Sequence, residues 1–192
     1  MSPRSKEQNK KVRTESINNI LDACLELFAV KGYDATSISM IAQQAGISKG
    51  LLYNYFSSKE ELLKGLIDRL NNSESDMMKD VFADDPNQTL ENVFRVFFDE
   101  LRNNFQQWVF ISKLALQVDK FDFVKDLATQ KYYGYSQLFE QLLTAIGEEN
   151  PKQEAQLLAV MFDGIGFQYL MIREDYPLDE IENFLINKYC KK

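Results

Sequence analysis

Apolar positions recur along this chain at three- and four-residue intervals, the period of one face of an α-helix. The first run covers Thr14 to Lys31, where Ile17, Ile20, Leu21, Cys24, Leu25, Leu27 and Phe28 keep the spacing. Gly32 follows, with Lys31 in the last turn, which is the chemistry that ends a helix. Two short helices come next. A fourth helix is predicted from Ser58 to about Met77: Ser58 and Glu61 read as a capping box, ahead of Leu62, Leu63, Leu66, Ile67 and Leu70. Asp84-Asp85-Pro86-Asn87 is a loop that opens a fifth helix over about 87–105, with Pro near its first position. Further helices are predicted over about 106–117, 122–147, 152–173 and 178–190, with Pro151 and Pro177 between apolar runs rather than inside them. The expectation is an all-α chain of nine helices in two domains. The division expected is a basic, disordered tail over 1–13, a helix-turn-helix domain over 14–60, and a ligand-binding and dimerisation domain over 61–192.

The stretch from Ile38 to Phe56 carries a specific pattern. Ile41, Ala42 and Ala45 give a narrow apolar face over about two turns. Gly46 then supplies the left-handed residue of a tight turn, and Ile47 plugs it. Ser48 is an N-cap for a second short helix, from Lys49 to Tyr55 or Phe56, whose Leu52 and Phe56 face inward. Lys49, Gly50, Leu51, Tyr53 and Asn54 are left outside. Such a face suits the major groove of DNA. Lysine meets phosphate or a guanine edge, glycine admits the backbone, asparagine pairs with adenine, and leucine touches a thymine methyl. Tyr53 and Tyr55 have hydroxyls with the reach of phosphates, and Lys59 adds a cation at the start of the next helix.

Charge fits this only once it is divided. The whole chain is at -7, but residues 1–64 hold nine Lys/Arg against seven Asp/Glu, and the remainder is strongly acidic. Met1 to Arg13 alone has five basic residues and one acid. An acidic body with a basic end is the asymmetry expected when one end meets phosphate. There is no histidine, which removes the commonest general base, the Ser-His and Cys-His nucleophile pairs and the commonest metal ligand. No glycine-rich phosphate loop or metal-spaced cysteine pair is present, so neither a catalytic residue, nor a metal site, nor a cofactor is expected. Cys24 and Cys190 lie far apart in sequence; two lone cysteines do not make a disulfide framework, and they fit a reducing compartment. No run approaches the roughly 18 uninterrupted apolar residues of a membrane span, and no apolar leader opens the chain, so a cytoplasmic location away from the membrane is expected.

The run Gly32-Tyr33-Asp34-Ala35-Thr36-Ser37-Ile38, followed by Ile41-Ala42, Ala45-Gly46-Ile47-Ser48-Lys49-Gly50, Leu52-Tyr53, Tyr55-Phe56 and Ser58-Lys59-Glu60-Glu61-Leu62, resembles the N-terminal domain of TetR-family regulators. The resemblance covers about residues 14–63. It implies a symmetric homodimer that sets two recognition helices in successive major grooves of a palindromic operator on double-stranded DNA. It also implies a repressor, released by a small ligand in the C-terminal domain. Ser37, Ser39, Lys49, Gly50, Leu51, Tyr53, Asn54, Tyr55 and Lys59 fall on DNA-contacting positions, and with the Ser48 cap they form the candidate DNA-binding set. Two positions depart from the family pattern: Tyr55 stands where many members have histidine, and Leu51 where a polar residue or threonine is common.

Of the last two helices, the first carries apolar residues on more than one face, so it must cover its own core and something else. By the resemblance that is the same pair in a second copy, with Leu158, Met161, Ile165, Tyr169, Ile181, Phe184 and Leu185 as the candidate interface. Aromatic residues concentrate in the same domain. A pocket for a small apolar effector is expected to be lined by Phe94, Phe98, Trp108, Ile111, Tyr132, Tyr135, Phe139 and Phe162. The competing reading is a helical interaction or scaffold protein with no DNA role, which leaves the outward face of Lys49 to Tyr55 without a purpose.

Overall fold

The computed structural model describes residues 5–190. They form nine α-helices and no strand: α1 (Lys6–Ala35), α2 (Ile38–Gln44), α3 (Lys49–Tyr53), α4 (Lys59–Lys79), α5 (Pro86–Asn103), α6 (Phe105–Ala115), α7 (Asp122–Ala145), α8 (Pro151–Ile172) and α9 (Leu178–Tyr189). A single 3-10 turn, Arg173–Asp175, joins α8 to α9. The boundaries follow the caps. Asp85 accepts from the Asn87 N–H at 3.0 Å with Pro86 at the first position of α5. Ser58 accepts from the Glu61 N–H at 3.0 Å. The other arm of that expected box is shifted by one residue, because the Glu61 carboxylate accepts from the backbone N–H and hydroxyl of Ser57. Those hydrogen bonds hold the Glu61 carboxyl below its ordinary range.

Two expectations are corrected. The stretch 1–13 is not a disordered tail over its described part. Ser5 and Gln8 form a capping box, and α1 starts at Lys6, eight residues before the apolar period begins. Met1 to Arg4 lie outside the described residues. The helix stops where the sequence said: Gly32 has φ 78° and ψ 167°, and only one further turn follows before Thr36. The domain boundary also moves. The chain divides at Ser73/Glu74, inside α4, rather than at 60/61. The reason is that Leu62, Leu63, Leu66, Ile67 and Leu70 on α4 are buried residues of the first unit, and Arg69 pairs with Asp22 on α1 at 2.7 Å.

The first unit closes around Ile20, Leu21, Cys24, Phe28, Ile41, Leu52, Leu62, Leu63 and Leu66. Burial pushes the Cys24 thiol up to about 12, so it is a small core residue and not a nucleophile. In the second unit, α7 packs along α8, and α5 packs against α7 and α9. Its core gathers Leu90, Phe94, Phe98, Leu101, Phe139, Leu143, Leu158, Phe162, Leu185 and Tyr189. Cys190 sits half-buried at the edge of that core, its thiol pushed up to about 11. By length and composition the stretch Pro151–Asp175 is apolar enough to cross a membrane, yet 28% of it is buried within the chain. Its inner side, with Ala155, Leu158, Ala159, Phe162, Ile165 and Gly166, is core. Its outer side exposes Leu157, Val160, Phe167 and Met171.

Candidate nucleic-acid interface

The first unit builds α2 and α3 from local chemistry. The Ser37 hydroxyl caps α2 by accepting from the Met40 N–H at 3.2 Å. At the other end the Ile47 N–H donates to the Ala42 carbonyl at 2.9 Å, and the Gly46 N–H to Gln43 at 3.1 Å, while Gly46 sits at φ 67°. This paired closure needs a left-handed residue, which is why glycine occupies the turn. The Ser48 hydroxyl then accepts from the Leu51 N–H at 3.1 Å and starts α3. The helix is shorter than expected and ends at Tyr53, with Asn54 as its C-cap. Leu52 is fully buried and Phe56 nearly so, which fixes the rotation of α3.

That rotation leaves Lys49, Gly50, Leu51, Tyr53 and Asn54 on the outside, together with Ser39 on α2. Lys49 Nζ stands 6.0 Å from the centre of the Tyr53 ring, and the Arg13 guanidinium 5.0 Å from that of Tyr55. Each of these two tyrosine rings thus has a cation beside it. A methyl group added at Gly50 meets nothing within 4 Å, and the backbone there is not left-handed. The fold gives no reason for glycine at this position. The sequence did not single out Arg13, because it lies 42 residues from Tyr55 and in a stretch read as a tail.

Lys59 is placed differently from the sequence expectation. It is half-buried, and its Nζ donates to the carbonyls of Tyr33 and Thr36, both at 2.9 Å, while lying 4.1 Å from the Tyr33 ring centre. The break at Gly32 strands carbonyls at the end of α1, and Lys59 satisfies them. Thr36 completes the arrangement: its buried hydroxyl donates to the Gly32 carbonyl at 2.8 Å, with the Leu27 carbonyl oxygen 3.3 Å away as the alternative acceptor. Lys59 therefore ties the start of α4 to the turn before α2. Ser37 and Ser48 likewise spend their hydroxyls on caps.

In the second unit the expected dimer set divides. Leu158, Ile165 and Leu185 are buried in the chain's own core, and Met161, Tyr169 and Ile181 pack half-buried against it. Only Phe184 of the seven is exposed, at 65%. Apolar residues cover both sides of α8, and their period alone does not say which side turns inward. The outward row is instead Leu157, Val160, Gly164, Phe167 and Met171, at the spacing of one helical face.

The residues of the expected pocket lining are divided between the core and the surface. Phe94, Phe98 and Phe139 are fully buried, and the ring of Phe162 lies 5.6 Å from that of Phe94 and 5.4 Å from that of Phe139. These rings fill the space between them. Ile111 is exposed, and the half-buried Tyr132 stacks edge-on against Tyr133. The Tyr135 hydroxyl bonds Glu74, which also pairs with Lys131. Burial and that carboxylate raise the Tyr135 pKa. Trp108 packs 5.6 Å from Phe97 and against Gly166, where a methyl group would come within 3.1 Å of the indole. Its Nε1 is buried without a protein partner, as is the hydroxyl of Ser136. A surface cavity of about 390 Å³ lies elsewhere, near Arg102, Tyr169, Arg173 and Tyr176. Among the described residues no cluster of His, Cys, Asp or Glu is arranged to hold a metal.

Residues 20–66 match the family described as "Bacterial regulatory proteins, tetR family". The HTH-type transcriptional regulator YerO of Bacillus subtilis is 26% identical over 188 residues, covering 91% of this chain. The chain spans 63% of the length of that relative. The HTH-type transcriptional repressor KstR2 of Mycobacterium tuberculosis is 28% identical over 170 residues, covering 86% of this chain and 74% of the repressor. The fold is similar to the crystal structure of the transcriptional regulator FadR of Bacillus subtilis in complex with stearoyl-CoA. That likeness has a TM-score of 0.72 at 21% identity, over 91% of this chain and 97% of FadR.

Proposed function

From the match of residues 20–66 to the tetR family of bacterial regulatory proteins, we propose that the chain is a DNA-binding transcriptional regulator of that family, which reads a palindromic operator as a homodimer and is released by a small apolar ligand. The observation that carries the reading is the outward surface of α3. Lys49, Gly50, Leu51, Tyr53 and Asn54 share it, and Gly50 has no role in the fold that alanine could not fill. Two such helices reading one duplex face must sit about one helical turn apart, roughly 34–36 Å.

The second copy is supported by the outer face of α8. Leu157, Val160, Phe167 and Met171 form an apolar row on a helix already buried on its other side, and Phe184 on α9 adds to it. A methyl group at Gly164, in the middle of the row, meets nothing within 4 Å, so a partner helix can approach closely there.

Release by ligand is linkage: a molecule that prefers one spacing of the recognition helices shifts the population and the affinity with it. Stearoyl-CoA in FadR makes an acyl chain the natural first probe. In this chain the buried indole N–H of Trp108 and hydroxyl of Ser136 are polar groups that a ligand with an acceptor could satisfy. The Glu74 contacts with Lys131 and Tyr135 tie the end of α4 to α7, so a shift of α7 bears directly on α4.

Selection from a pool of random-sequence duplexes tests the proposal. Recovery of a palindromic site, lost in Lys49→Ala and Tyr53→Ala, supports it. Recovery of no common sequence favours a scaffold. A panel of acyl and aromatic compounds, read by Trp108 fluorescence and by release from that site, tests the ligand. A compound that binds tightly and leaves DNA affinity unchanged contradicts the coupling.

A further inference from the structure

The N-terminal turns of α1 extend beyond the core of the first unit. Gln8, Lys10, Lys11, Val12, Arg13, Thr14 and Glu15 are all exposed, and the first fully buried residue of the helix is Ile20. The segment is nonetheless a capped helix: Ser5 and Gln8 satisfy each other's backbone N–H groups, and the Ser16 hydroxyl donates to the Val12 carbonyl at 2.8 Å. Its direction is set by the helical period. Ile17, Ile20 and Cys24 mark the side of α1 that faces the core, and the same row continues toward the N-terminus as Arg13 and then Lys10. Where the core ends, the inward side of the helix changes from apolar to cationic. It does so beside the recognition element, because the Arg13 guanidinium lies over the Tyr55 ring. No carboxylate pairs with Lys10 or Arg13 among the described residues, whereas Arg69 and Lys64 on α4 both have one. Two cations on one row of α1, without a carboxylate partner among the described residues and one of them set against Tyr55, call for an anionic partner.

The geometry points to the N-terminal turns of α1 as a second DNA-contacting element, with Lys10 and Arg13 bound to backbone phosphates flanking the half-site that α3 reads. The inference rests on the DNA-binding reading above and adds to it a contact outside the helix-turn-helix. Arg13 and Tyr55 work together: the ring holds the guanidinium plane and leaves its edge N–H groups to meet phosphate. Lys11 lies about 100° around the helix from Lys10, on the row of Thr14, Glu15 and Asn18, and is not part of the element.

The test is the salt dependence of binding by the full chain to a mixed-sequence duplex of roughly 30 base pairs, about three helical turns. Each phosphate contact contributes about 0.9 to the slope of log affinity against log salt. Lys10→Gln with Arg13→Gln is expected to lower the slope by about 2 for each bound copy, hence by about 4 for a homodimer, with helicity unchanged because glutamine is a good helix former. Lys11→Gln, which removes the same charge from another face, is expected to leave the slope near that of the parent chain. An unchanged slope in the double variant overturns the inference while leaving the DNA-binding reading intact. So does a Lys11→Gln effect as large as that of either single change, because the signal is then net charge and not a placed contact. If the parent chain shows no salt-dependent binding to any duplex, the DNA-binding reading itself falls.

Discussion

Gly50 separates two reasons for a glycine on a helix, room inside or room outside. Nothing in the chain crowds it, and its backbone is ordinary helix. Gly50→Ala is therefore expected to stabilise the fold by about 0.5–1 kcal/mol, the helix-propensity difference, while weakening DNA binding several-fold. Chemical denaturation and a binding titration of the same variant check both halves; loss of stability would place the reason for glycine inside. Thr36 is the opposite case. Its hydroxyl is buried and within hydrogen-bonding reach of two carbonyls at the end of α1. Thr36→Val is expected to cost about 1–3 kcal/mol, and Thr36→Ser to recover most of it. The caps and the turn glycine were legible from neighbouring residues, since Ser37, Ser48 and Gly46 act on amides three to five positions away. Lys59 was not, because the carbonyls it serves lie 23 and 26 residues back and are stranded by the break at Gly32.

The elements keep the same distinction between local and distant causes. Helix number and most helix ends follow from period and caps, so α5, α8 and α9 begin where Pro86, Pro151 and Pro177 indicated. The turns of α1 before Thr14 were missed because they bury nothing and carry no apolar period. On α8 the period showed two apolar sides without ranking them, and the neighbours that decide it, α6 and α7, are set by tertiary packing. Polar links between elements were equally hidden. Arg102 on α5 donates to Asp179 at 2.6 Å and to Glu182, a carboxylate only 8% exposed on α9. Arg95 is a more distant partner at 3.8 Å. Arg102→Met strips the buried carboxylate of its near partner. A loss of roughly 1–3 kcal/mol in denaturant unfolding is expected, less than for a fully buried pair because Arg102 remains partly solvated. A change under about 0.5 kcal/mol would mean that α9 is held by its apolar contacts alone.

At the scale of the whole molecule, charge and apolar surface are each divided between the two units. The basic residues that matter are few, so DNA binding depends on placed contacts, and its salt slope, about 0.9 for each phosphate met, is set by a small number of them. The apolar row on α8 is the largest demand left unanswered by a single chain. Val160→Arg together with Phe184→Glu, both at exposed positions, is expected to leave the fold intact and turn a dimer into a monomer in sedimentation velocity. DNA affinity falls with it, since one recognition helix then binds alone. A double variant that sediments like the parent chain would remove α8 and α9 from the interface.

The claim on which the rest depends is that α3 of two copies reads one duplex. A hydroxyl-radical footprint on the selected site measures this directly. Two protected segments are predicted on one face of the DNA, centred about 10 base pairs or one helical turn apart, and both lost in Lys49→Ala with Tyr53→Ala. A single segment, or protection that survives those substitutions, would contradict the account.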